Sequence, residues 1–180
     1  MNLKLIRPCG LSVQGMGMYD VHEVVEALSR LSYRDALAYW IEGEKKEAEF
    51  YRELARRARN LGLGEELVKT FEKLAEDSLN HAAELEAQLG ETYGDVPRSD
   101  LPPLEVLPVL NEFERADQLE EVLKAAMESE LIAHESYKLL AESVDDERLR
   151  EFYSKLADVE RGHYEMLLER YSELLTSSPP

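Results

Sequence analysis

The chain has 180 residues, with 38 acidic against 21 basic side chains and a formal net charge of −17. That length suits one domain with a sizeable core, and the acidic balance excludes partners that need basic patches, namely nucleic acid and an anionic membrane surface. One cysteine, Cys9, excludes an intramolecular disulfide and a cysteine-rich metal knuckle, and it fits a reducing, cytoplasmic location.

Residues 1–18 lack the continuous apolar run of a signal peptide, and no apolar run anywhere is long enough for a membrane span. Apolar residues instead recur at helical spacing, and period-2 runs are scarce. The first predicted helix is short. Asp20 caps it, and Val21, Val24, Val25, Leu28 and Leu31 form its apolar face. Ser32, with Asp35 in the capping-box position, opens a long helix running to about Asn60. The stretch Asn60-Leu61-Gly62-Leu63-Gly64 reads as a stop and turn. A third helix follows from Glu65 to Gln88, with Gly90 as its terminator.

Residues 91–113 carry Pro97, Pro102, Pro103 and Pro108 among Leu101, Leu104, Val106, Leu107, Val109 and Leu110. This stretch is too apolar for a free linker and is predicted to be an ordered crossover along the bundle. The fourth helix spans about Arg115 to Glu142. Ser143-Val144-Asp145-Asp146 is a turn that supplies an N-cap, and the last helix runs to about Leu175. The expected architecture is all-α: a ferritin-like antiparallel four-helix bundle over 32–176, preceded by an extension and short helix (1–31) and followed by a frayed tail (177–180). Connections in the order short, long, short make two antiparallel pairs joined by the crossover.

The core stripes are apolar except near their middles. The first long helix reads Leu37, Ile41, Glu44, Ala48, Tyr51, Ala55. The second reads Leu67, Phe71, Leu74, Ser78, His81, Leu85. The third reads Leu119, Leu123, Ala126, Glu130, Ala133, Tyr137, and the fourth Leu149, Phe152, Leu156, Glu160, His163, Leu167. An unpartnered buried charge costs several kcal/mol. Four helices interrupted at matching depth therefore imply that these groups meet, with a divalent cation converting carboxylate repulsion into coordination. Glu160 and His163, three apart, leave one helix face together. The two halves also repeat: Glu44 and Tyr51 align at one offset with Glu130 and Tyr137, and Phe71, Leu74 and His81 align at another with Tyr153, Leu156 and His163.

This pattern of a glutamate on one helix and Glu-x-x-His on the next, then the same again after a crossover, resembles the rubrerythrin and ferritin-like di-iron carboxylate superfamily over about residues 33–175. The resemblance implies metal ligation by Glu44, His81, Glu130, Glu160 and His163. It also implies supporting roles for Tyr51 and Tyr137 next to those ligands. It implies two iron ions, with manganese or zinc as alternatives, and ferroxidase or peroxidase chemistry on dioxygen, peroxide or ferrous ion. There are two departures. The first Glu-x-x-His reads Ser78-Leu79-Asn80-His81, so a carboxylate is missing, and no Cys-x-x-Cys rubredoxin module is present. Asp77 and His134 are further candidate ligands, Asp77 from the flank of the His81 face and His134 one turn after Glu130. The competing readings are a metal-binding or storage bundle without turnover, and a metal-free helical interaction module. A homodimer is expected, because the short N-terminal helix and the apolar crossover need cover.

Overall fold

The computed structural model describes residues 21–94 and 113–177. Five helices and no strand occur among them: α1 (Val21–Ser29), α2 (Tyr33–Asn60), α3 (Glu65–Tyr93), α4 (Leu119–Ser143) and α5 (Glu147–Ser177), with a short 3-10 turn, Ala116–Gln118, leading into α4. The all-α bundle expected from the stripes is the fold observed. The predicted cap at Asp20 and all but the ends of the 91–113 crossover lie outside the described residues.

Local chemistry sets the helix ends. The Ser32 hydroxyl accepts the Asp35 N–H at 3.2 Å, satisfying one of the unpaired donors at the start of α2. The α2–α3 turn closes as a Schellman motif, with Leu63 N–H on the Ala58 carbonyl and Gly62 N–H on the Arg59 carbonyl. Gly62 takes φ 67° there, which a side chain would resist. At the start of α5, Asp146 Oδ1 accepts the Arg148 N–H at 2.8 Å. Gly90 does not end α3, contrary to the sequence reading. A glycine inside a helix costs only about 1 kcal/mol, and the adjacent Leu89 is fully buried. The Arg34 guanidinium also sits over the Tyr93 ring one turn later, 6.0 Å from its centroid. The stop falls instead at Gly94, with φ 90°.

α2 packs along α3 and α4 along α5. Two separate hydrophobic clusters fill the bundle. One joins the N-terminal half of α2 and the C-terminal part of α3 to the C-terminal part of α4 and the N-terminal half of α5, around Trp40, Leu89, Tyr137 and Tyr153. The other joins the opposite ends, around Leu54, Phe71, Leu123 and Leu167. α2 and α5 therefore run one way and α3 and α4 the other, so α3 ends and α4 begins at opposite ends of the bundle. α1 covers its own chain: Leu28 is part of the first cluster, and the Tyr153 hydroxyl donates to the Leu28 carbonyl at 3.3 Å.

Candidate metal centre

Between the two clusters, every long helix turns a polar residue inward. Glu44, Glu47, Ser78, Glu130, Glu160 and His163 are all buried, and each is less than 5% exposed. Helical spacing explains how they converge. Glu44 and Glu47 on α2 stand three apart, as do Ser78 and His81 on α3 and Glu160 and His163 on α5, so each pair shares a face.

His163 is the hub. Its Nδ1 lies 3.5 Å from Glu47 Oε1, 3.5 Å from Glu160 Oε2 and 3.7 Å from Glu130 Oε2. One ligand atom from each of these four residues falls within 4.8 Å of all the others. Alongside them, His81 Nδ1 is 3.6 Å from Glu44 Oε1, and its ring stacks on that of His163 at 6.0 Å between centroids. The structure thus brings together all five residues implied by the resemblance and adds Glu47, which the sequence reading passed over.

The other candidates are placed apart. Asp77 pairs with Lys73 one turn away on the same helix, because its shorter stem stays on the flank of the His81 face. His134 sits with Nδ1 2.6 Å from the Ala157 carbonyl and Nε2 3.6 Å from Glu135, so its ring is tied to α5 and to the surface. Tyr51 donates its hydroxyl hydrogen to Glu130 Oε1 across the bundle. Tyr137 packs on Trp40 at 4.9 Å and, with Trp40, Tyr39 and Gly43, lines a narrow gap that opens on Glu44 and Glu160.

Burial dominates the electrostatics. It raises the Glu44 carboxyl to about 6, with repulsion from Glu47 adding to it and His81 opposing. Burial and the Glu130 charge raise Glu47, and burial with the Glu47 charge pushes Glu160 well above the ordinary range. For His163 burial works the other way, but Glu130, Glu160 and Glu47 outweigh it and hold the imidazolium well above its usual pKa. Contact with Glu44 raises His81 in the same sense.

The cluster leaves its own atoms unsatisfied. Both oxygens of Glu44, one oxygen each of Glu130 and Glu160, and Nδ1 of His81 and of His163 are buried without a hydrogen-bond partner. Unsatisfied buried polar groups cost about 1–3 kcal/mol each, more when charged. These six atoms, from three carboxylates and two imidazoles, fit cations as oxygen and nitrogen donors, and with Glu47 the cluster sets four carboxylates against the four positive charges of two divalent ions.

A helical bundle with a buried carboxylate–histidine cluster at its midpoint is the ferritin-like class of protein. The model of the rubrerythrin family matches residues 35–171, and the chain belongs to that family. A solved structure of a hypothetical protein from Pyrococcus furiosus is also similar, with 26% identity and a TM-score of 0.61, over 87% of this chain and 98% of that one. No protein with a curated description matches. Among the described residues, no helix is long and apolar enough to cross a membrane.

Proposed function

We propose that the chain binds a pair of iron ions through Glu44, Glu47, His81, Glu130, Glu160 and His163, and that it is an oxidoreductase acting on peroxide or dioxygen. The observation that carries this reading is the clustering of buried carboxylates and imidazoles that leaves six ligand atoms without a hydrogen-bond partner. A hydrogen-bonded polar core would satisfy those atoms internally, and this one does not. Oxygen-rich sites with some imidazole suit iron or manganese, and a pair of ferrous ions supplies the two electrons that reduce one peroxide, with two protons, to two waters.

The chain's own groups position and insulate that chemistry. Glu130 is oriented by the Tyr51 hydroxyl, and Glu47 is held by Ser78 Oγ at 3.2 Å. Trp40, Tyr39 and Tyr137 wall the gap beside Glu44 and Glu160 and shield that side of the cluster. The two hydrophobic clusters above and below exclude bulk water, which strengthens every charge interaction between them. Each turnover oxidises the iron pair, so a reductant has to return the two electrons.

The test is anaerobic loading with ferrous ion, measurement of iron per chain, then addition of peroxide or oxygen. Binding near two irons per chain with consumption faster than free ferrous ion supports the proposal. Binding without accelerated consumption reduces the protein to a metal holder, and no binding removes the reading altogether.

A further inference from the structure

The internal repeat breaks at two positions, and the two breaks compensate. Aligning Glu44 on Glu130 sets Glu47 of α2 opposite Ala133 of α4. Aligning His81 on His163 sets Ser78 of α3 opposite Glu160 of α5. One half carries a carboxylate on its second helix, and the other carries it on its first. Ser78 is fully buried, and its Oγ lies 3.2 Å from Glu47 Oε2 and 2.9 Å from the Leu74 carbonyl, dividing its hydrogen between them. The small serine leaves the room that Glu47 enters from the neighbouring helix.

The transfer has an electrostatic consequence. Glu47 falls within 3.5 Å of His163, so three carboxylates and one imidazole gather on that side, their side chains no more than 5% exposed. On the other side, among the described residues, Glu44 and His81 face each other, and the His81 side chain is 28% exposed. We propose that, within the metal centre put forward above, the exchange of a carboxylate from α3 to α2 makes the two cation positions unequal: a resident divalent cation held by Glu47, Glu130, Glu160 and His163, and an exchangeable one held by Glu44 and His81 that enters and leaves past the exposed His81 edge. The first cation has three negative charges in a dry pocket. The second meets one, partly screened by water and opposed by the cation already in place.

This inference rests on the proposed metal centre, and the experiment separates the two. The metal-free full-length chain is titrated with cobalt(II), which reports its ligand field in the visible spectrum and is silent towards peroxide-free buffer. Heat and absorbance are followed together. Two binding events with dissociation constants at least tenfold apart are expected. His81→Asn abolishes the weaker event and moves the tighter one by less than about threefold. Glu47→Gln weakens the tighter event at least tenfold. The double variant Glu47→Ala with Ser78→Glu returns the carboxylate to α3 and brings the two constants to within tenfold of each other. Each variant's helical content is checked by circular dichroism, and the two single variants decide the matter if the double one does not fold. Two equal sites, or equal weakening of both by His81→Asn, overturn this inference and leave the metal centre standing. No cobalt binding overturns both.

Discussion

The Tyr51 hydroxyl on α2 donates a hydrogen bond to Glu130 on α4, so a residue two turns beyond one predicted ligand supports the ligand in the other half of the repeat. Both partners are buried, and Tyr51 is 1% exposed. A hydrogen bond to a buried carboxylate is worth about 1.5–3 kcal/mol, and its loss leaves the charge desolvated. Tyr51→Phe therefore lowers the metal-free protein's stability by roughly 1–3 kcal/mol in denaturant titrations. The ring's packing against Phe50 and Phe71 is retained, so the slope of the transition with denaturant is unchanged.

The bundle was legible because its signals agree. The apolar stripes, the Ser32 cap and the Gly62 turn each point to the same helices, and the structure places them within a few residues of the prediction. Glu47 was not legible for a geometric reason. Walking α2 in steps of three and four allows Glu44 to be followed by 47 or by 48, and the apolar choice, Ala48, is the one a hydrophobic pattern favours. Both are buried, because the inward face of a helix in a bundle is wider than one residue. The clue was Glu44-x-x-Glu47 itself, read together with the missing carboxylate at Ser78. Gly90 misled in the opposite direction: composition marks it as a terminator, and the buried Leu89 beside it decides otherwise.

Capping at Ser32 is independent of the metal centre, and that independence can be measured. Ser32→Ala removes the acceptor for Asp35 N–H and costs about 1 kcal/mol. Cobalt affinity in the same variant stays within twofold of wild type. A parallel fall in both would mean that the entry of α2 and the site are mechanically coupled.

Glu130→Gln separates the folding role of the buried charges from their binding role. In the metal-free protein Glu130 adds repulsion to Glu47 and Glu160. Glutamine keeps an oxygen for Tyr51 and removes the charge. The charge it removes repels the Glu47 and Glu160 carboxylates but attracts the His163 imidazolium, so the two effects oppose each other in the metal-free fold. The metal-free variant is therefore expected to melt within a few degrees of metal-free wild type, while the rise in melting temperature that cobalt gives wild type is largely lost. Wild type with a cation at a hundred times its dissociation constant gains about 2.7 kcal/mol. A variant that keeps that full gain shows that Glu130 is not a ligand.

The pH dependence of the metal-free protein follows from the same groups, and its sign is unusual. Burial raises Glu44 from 4.5 to about 6 and raises Glu47 and Glu160 as well. The folded chain therefore holds protons on these carboxyls that the unfolded chain has released, and stability falls as pH climbs from about 4.5 through the folded values. The shift at Glu44 alone corresponds to roughly 2 kcal/mol. His163 and His81 are raised above 6.5. Their contribution is complete below that value and is lost as pH rises through their folded pKa, in the same direction. Carboxylates with lowered pKa, such as Glu53 at about 2, act below this window and do not offset it. Metal-free protein is thus expected to be most stable near pH 4.5 and to lose stability steadily to pH 8 in denaturant titrations. A bound cation displaces those protons, so affinity rises with pH and proton release accompanies binding. Saturated protein then shows a flat or rising profile over the same range, crossing that of the metal-free form. A metal-free profile that rises from pH 5.5 to 8 would show that the buried carboxyls are not carrying protons in the folded chain.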